Sequence, residues 1–164
     1  LADDTVSTFV KHAAFLQLVR GRRLRLQRTE PNIGALATAL ADPVNPVTAQ
    51  YHLAFVASDT FYEHTHRYPG QRHDWQADVD PLLSHAQTYC ARIGLDLSDS
   101  DRVRLQHACY ELTRGAHSDT PSTAAYLGGV AAQEVIKILT VQYIPLDNTC
   151  VYDGIVQAVS SFRL

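Results

Sequence analysis

No apolar run in this 164-residue chain approaches the ~18 residues that a membrane-crossing helix needs, so no transmembrane span is expected. A basic n-region followed by an apolar stretch is missing too, so no signal peptide is expected. Cysteine is scarce. Cys90, Cys109 and Cys150 are odd in number and widely spaced, which argues against a disulfide framework and fits a reducing compartment. Neither sign of charge dominates: the formal net charge is −3, which gives no global attraction to nucleic acid or membrane. Paired C-x-x-C, G-x-G-x-x-G, Walker A and G-x-S-x-G sequences are all absent. The usual sequence signs of a structural zinc, a phosphate cradle and a serine nucleophile are therefore missing. Repeats and low-complexity segments are missing as well. The first residue is Leu1 rather than Met, which suits a fragment or a processed piece. What is present is 46% hydrophobic and 19% charged residues, the balance of an ordinary soluble globular domain with one core.

The stretch from Thr120 to Leu164 organises the chain. TPSTAAYLGGVAAQEVIKIL predicts one helix, with Thr120 as N-cap and Pro121 at the first helical position, where its missing N–H costs nothing. Ala124, Leu127, Gly128, Ala131, Val135, Ile138 and Leu139 fall within one stripe about 120° wide, and Gln133 and Lys137 fall opposite. Gly128 and Gly129 in mid-helix cost roughly 1 kcal/mol each relative to Ala. Either the pair is neutral, or it lets another backbone come very close. Ala124, Gly128, Ala131 and Val135 are the candidate close-packing positions. After the helix the period changes to two. Strands are predicted over Val141 to Leu146, Thr149 to Tyr152 and Ile155 to Leu164, with turns at Asp147-Asn148 and Asp153-Gly154. One helix and short strands cannot cover both faces of a sheet, so this part needs partners that its own residues do not supply.

The preceding residues read as four or five helices. Asp3 or Asp4 caps a helix running to about Arg28, apolar almost all round from Phe9 to Val19 and so expected inside a bundle. Its basic end carries Arg20, Arg22, Arg23, Arg25 and Arg28. This is either a solvated face or a candidate surface for an acidic partner. Nucleic acid is the weakest reading, because no aromatic residues interleave with the arginines. Pro31-Asn32 breaks the chain before a short helix over Ile33 to Leu40. Asn45 and Pro46 start another running to about His66, with Val47, Tyr51, Ala54, Phe55, Phe61 and Tyr62 as its buried stripe. RYPG is a tight turn. Asp80-Pro81 starts a further helix, with Asp74 to Val79 as an added turn; Leu82, Ala86, Tyr89, Cys90 and Ile93 share its buried face and Gly94 terminates it. Ser98 with Asp101 approximates a capping box for the last helix before Gly115, whose stripe is Leu105, Ala108, Cys109 and Leu112. The internal boundary falls near His117, giving a helical domain over 1–117 and a second part over 118–164.

Cys90 and Cys109 lie on apolar stripes, where a thiol behaves as a small hydrophobe with a raised pKa. Cys150 lies in a strand near a turn and also reads as structural. His64, His66 and His73 with Asp74 form the sole histidine cluster, but the RYPG turn intervenes and no cysteine is near, so a zinc site is not favoured. No catalytic constellation is visible, and no catalytic, cofactor-binding or metal residue is assigned.

AAYLGGVAAQEVIKIL followed by IPLDNTCVYDG resembles the end of the adenylation domain in ubiquitin-like modifier activating enzymes, and its adenylation-inactive rather than its ATP-binding half. FVKHAAFLQLVRGRRL, the HRYPG turn and the ending YDGIVQAVSSFRL sharpen the match. In order and over nearly the whole chain, they resemble the regulatory, adenylation-inactive subunits of heterodimeric neddylation-activating enzymes, in the ubiquitin-activating enzyme superfamily; the match is to their C-terminal portion only. The resemblance implies an α+β, mostly α, chain. Its helical bundle domain would be like the one that carries the thioester cysteine in the catalytic subunit, here without that site. After it would come the terminal helix and antiparallel strands of a Rossmann-like adenylation (ThiF/MoeB-type) fold. None of the three cysteines has the Thr and later Pro that follow a thioester cysteine in that superfamily. The implied role is a non-catalytic scaffold for a catalytic partner subunit that binds ATP and magnesium, with contact to the modifier only indirect. The implied location is the cytoplasm, with the nucleus as a second site. Self-association of the chain, an inactive half of a single-chain ubiquitin-activating enzyme, and a stand-alone helical interaction module are the other readings.

Overall fold

The computed structural model describes residues 3–13, 21–44, 47–116, 118 and 120–164. Within them the order is α1 (Asp3–His12), α2 (Leu24–Thr29), α3 (Ile33–Leu40), α4 (Val47–Thr65), a 3₁₀ turn (Trp75–Asp78), α5 (Val79–Ile93), α6 (Asp99–Arg114), α7 (Pro121–Thr140), β1 (Thr149–Asp153) and β2 (Ala158–Phe162). The chain is mostly helical and ends in an antiparallel pair, the α+β class expected.

α4 is the axis of the core. Ten of its residues are buried, from Thr48 to Phe61, because α3, α5, α6 and the β-hairpin all pack around it. That is why its apolar positions follow no single stripe. Tyr51, Ala54 and Phe61 are buried as the spacing predicts, whereas Phe55 and Tyr62 are exposed, Phe55 at the wall of an open cleft. Some of the polar groups brought inside find partners: the Gln50 side-chain NH2 donates to Asp101 Oδ1 at 3.3 Å and the Thr113 hydroxyl to the Cys109 carbonyl at 2.7 Å. Such pairing offsets the cost of burying them.

The helix ends follow the sequence signals. Asn32 Oδ1 accepts from the Ala35 amide at 3.2 Å, capping α3. Ser98 Oγ accepts from the Asp101 amide at 3.2 Å, capping α6, and donates to Asp101 Oδ2 at 2.5 Å, so the Asp101 carboxylate bonds the cap hydroxyl where a capping box would bond the cap backbone amide. Gly94 takes φ +71° after α5, and the Leu95 amide reaches back to the Cys90 carbonyl at 2.9 Å, an αL helix stop. Asn45, Pro46 and His117 lie outside the described residues, and with them the expected cap of α4 and the expected internal boundary.

Four expectations need correction. The first helix does not run unbroken to Arg28: α1 ends at His12, residues 21–23 are not helical, and α2 begins at Leu24. No residue of α1 is buried, and Phe9 is 61% exposed, so the described start of the apolar stretch lies on the surface, not inside a bundle. No strand forms over 141–146. Val141 (φ +54°) and Tyr143 (φ +65°) occupy left-handed backbone, and the Leu146 amide donates to the Glu134 carboxylate at 2.7 Å, so it is not spent on a neighbouring strand. The last strand is shorter than Ile155 to Leu164. Asp153 Oδ1 accepts from the Ile155 amide at 2.8 Å, which bends 154–157 into the turn that precedes β2.

β1 and β2 pair from Thr149↔Phe162 to Asp153↔Ala158. Their Val151 and Phe162, with Leu164, join the helical core. Asn148 clamps the end of the chain, donating to the Leu164 carbonyl at 2.9 Å and accepting from the Leu164 amide at 3.0 Å.

Candidate functional site

α7 is twenty residues long and buries none of them. Pro121 occupies its first turn as predicted, while the Thr120 hydroxyl donates to Thr123 Oγ1 at 2.7 Å and makes no bond to the helix backbone. Leu127, Val135, Ile138 and Leu139 are exposed, Val135 by 53% and Leu139 by 77%. Ala124, Gly128 and Ala131 are exposed with them. Nothing lies within 4 Å of a Cβ built on Gly128 or Gly129, so the close approach expected at Ala124, Gly128, Ala131 and Val135 is not made by the described residues. Beyond the helix Val141, Tyr143 and Ile144 are exposed as well, as are Ile155 and Val156 at the hairpin turn. An exposed apolar surface of this extent marks an interaction site more often than free surface.

The opposite side of α7 fixes its position. Tyr126 and Tyr152 face each other with ring centroids 4.5 Å apart. Glu134 accepts from Lys137 Nζ at 2.6 Å and from the Leu146 amide at 2.7 Å. The Lys137 bond first, and then the Leu146 amide, hold the Glu134 carboxyl below the usual range.

The basic residues are dispersed. Arg20 lies outside the described residues. Arg22 donates to the Glu30 carbonyl at 2.5 Å, and Arg28 pairs with Asp59 at 2.6 Å. Arg23, at the start of α2, and Arg25 are exposed and are the arginines of this set left for an acidic partner.

Burial pushes the thiols up, that of Cys90 to about 11 and that of Cys109 to about 12. Burial, then Glu134, raises that of Cys150. A nucleophilic thiolate is disfavoured at all three at neutral pH, as their structural reading requires. His64 does not join His66 and His73: its Nδ1 meets the Thr60 carbonyl at 2.8 Å and its ring stacks on His85 at 5.1 Å. Among the described residues no three His, Cys, Asp or Glu side chains are grouped to hold a metal ion.

The spacing gave no hint of His52. It lies at a cleft of about 670 Å³ bounded by α2, α4, the RYPG turn and β1, beside Arg28, Phe55, Tyr68 and Cys150. Its Nε2 is buried without a partner among the described residues. Burial first, and Arg28 second, lower its pKa to about 4. The Phe162 ring meets it edge-on at 5.8 Å, a contact made only once the hairpin docks on α4.

The chain is 28% identical over 151 residues to the NEDD8-activating enzyme E1 regulatory subunit AXR1 of Arabidopsis thaliana, covering 92% of this chain. It is 29% identical over 167 residues to the NEDD8-activating enzyme E1 regulatory subunit of Danio rerio, covering 100% of this chain. It is 30% identical over 162 residues to the corresponding subunit of Drosophila melanogaster, covering 99% of this chain. Along its whole length this chain is homologous to the regulatory subunits of NEDD8-activating enzymes. No family model matches it. The chain spans 27% of the length of the Arabidopsis subunit and 30% of the other two, consistent with a C-terminal portion of such a subunit.

Proposed function

We propose that this chain is a non-catalytic, C-terminal part of a neddylation-type modifier-activating enzyme and acts as a scaffold for a catalytic subunit. The observation that carries this reading is the apolar face of α7, uncovered by the described residues in a chain related throughout to regulatory subunits. ATP and magnesium are assigned to the catalytic subunit, and the modifier reaches this chain only through it. The three protonated thiols support a role without a thioester on this chain. Its place of action is the cytoplasm, with the nucleus as a second site, and neither nucleic acid nor membrane is a partner. A stand-alone helical module is disfavoured: it would need Gly128 and Val135 covered by the chain itself, and Val135 is 53% exposed. In this reading residues 118–164 belong to the inactive adenylation domain and 1–117 to the helical domain.

The test is ATP–pyrophosphate exchange with NEDD8 and ubiquitin. The purified chain is expected to give none. Completed with the rest of a regulatory subunit and a catalytic subunit, it is expected to support exchange and thioester formation, also with Cys90, Cys109 and Cys150 all changed to Ala. Robust exchange by the chain alone, or a reducible modifier adduct lost in the triple variant, overturns the scaffold reading.

A further inference from the structure

Of the 14 side chains counted as Lys or Arg, two are lysines, Lys11 and Lys137. The choice matters chemically. A guanidinium stays protonated and does not attack acyl groups, whereas a lysine amine does so whenever it is free and deprotonated. The two lysines differ in their surroundings. Lys137 Nζ donates to Glu134 Oε1 at 2.6 Å, its side chain is 26% exposed, and the same carboxylate is fixed by the Leu146 amide. Lys11 lies in the last turn of α1 and is exposed, with no hydrogen bond or ion pair to the described residues.

We propose that Lys11 is the side-chain acceptor of this chain for acyl transfer from activated carboxylates, thioesters and acyl-adenylates, and that Glu134 holds Lys137 out of that reaction. In the step, the Lys11 nitrogen attacks the acyl carbon. A C–N amide bond forms as the bond to the leaving thiolate or to AMP breaks, and the amine proton passes to solvent. At Lys137 the nitrogen must first leave a charge-assisted hydrogen bond to a carboxylate that the Leu146 amide also holds in place, and that requirement slows it. The biological source of the acyl group rests on the function proposed above, since an activating enzyme produces both donor types. The difference between the two amines does not rest on it.

The test is acetylation of the purified chain by limiting N-hydroxysuccinimidyl acetate, and separately by an acetyl thioester of N-acetylcysteamine, followed by peptide mass mapping over time. Lys11 is expected to react about fivefold faster than Lys137, the upper end of what one partly exposed ion pair supports. Lys11→Arg is expected to abolish the fast site and leave Lys137 slow, and Glu134→Gln to bring Lys137 close to the Lys11 rate. Equal rates in the unaltered chain, or a Lys137 that stays slow in a folded Glu134→Gln chain, overturn the proposal. Neither donor requires an activating enzyme, so failure of the functional reading leaves this test intact.

Discussion

Arg67 grips Asp78 with both guanidinium ends, Nη1 to Oδ2 and Nη2 to Oδ1, each at 2.5 Å. The Gly70 amide adds a third bond to Oδ2 at 2.9 Å, and the guanidinium lies 5.1 Å from the centre of the Phe61 ring. One carboxylate, 4% exposed, thus ties the end of α4, the RYPG turn and the start of α5. The Arg67 bond outweighs burial and holds the Asp78 carboxyl below its usual range.

Removing that carboxylate strands the Arg67 charge, so Asp78→Ala is expected to cost about 3 kcal/mol at pH 7. The pH dependence follows from the depressed pKa. The unfolded carboxyl takes up a proton near pH 4, before the folded one does, so the stabilisation is full above that pH and is lost as pH falls through the folded pKa. Urea midpoints of both chains at pH 7 and pH 3 check it. A gap that does not shrink at pH 3 would show that the ion pair is not its source.

Gly70 sits in the same turn at φ +82°, and a Cβ there would lie 2.0 Å from the Thr113 carbonyl oxygen. That atom is backbone in a buried helix end and cannot move aside cheaply. Gly70→Ala is expected to destabilise by about 3 kcal/mol, read from the denaturant midpoint. Gly94→Ala serves as the control: it shares the positive φ but meets nothing within 4 Å, and is expected to cost about 1 kcal/mol.

Local chemistry made α3 to α7 legible. Asn32, Ser98, Gly94 and Pro121 mark helix ends by bonds or backbone angles within a few residues, and those signals survive folding. The exposed stripe of α7 was equally legible, because helix spacing alone defines it. What was not legible depends on distant contacts. Val141 to Leu146 has a strand-like sequence, but a strand needs a neighbour, and there the backbone turns left-handed. Phe55 belongs to the predicted buried stripe and His52 lies next to it, yet the first is exposed and the second is enclosed by the docking of the hairpin. The non-helical residues 21–23 carry only Gly21 as a signal, and one glycine inside a helical pattern does not predict a stop.

Val141 is a β-branched residue in the left-handed region at the end of α7 (φ +54°, ψ +27°), 89% exposed. Its side chain gains little there, and its backbone costs about 1 kcal/mol that glycine does not incur. Val141→Gly is therefore expected to raise stability by about that amount, less the entropy glycine adds to the unfolded chain. Calorimetric melting of the two chains measures it. A lower melting temperature would show that this end of the helix is not strained.

His52 sets a second pH dependence. Its folded pKa is lowered from 6.5 to about 4. Between those values the unfolded chain binds a proton that the folded chain does not, so stability is full above pH 6.5 and declines as pH falls toward 4. The decline is expected to reach about 2–3 kcal/mol, with His85, also lowered by burial, acting in the same direction. His52→Phe removes the titrating group and is expected to flatten the slope over that window, whatever it does to stability at pH 8. An unchanged slope would exclude His52 as its cause.

The apolar face of α7 decides how the chain behaves alone. Val135, Ile138 and Leu139 project from a helix with no buried residue, and burying such side chains contributes roughly 1.5–3 kcal/mol each. β1 and β2 form a two-stranded sheet, so each also has an edge free of sheet partners among the described residues, a template for pairing. The isolated chain is therefore expected to self-associate through residues 120–164 at micromolar concentration, with Gly128 at the contact. Two substitutions separate contact from helix stability. Ile138→Asp is expected to yield monomers in sedimentation while leaving the helical circular dichroism intact. Gly129→Ala is expected to strengthen the helix by about 1 kcal/mol without blocking association, whereas Gly128→Leu, on the stripe itself, is expected to weaken it. Adding the remainder of a regulatory subunit in trans is expected to dissolve the self-contact, because its apolar surface competes for the same face. A chain that sediments as a monomer at all concentrations, with Val135 and Ile138 protected from solvent, would show that the chain covers this face itself.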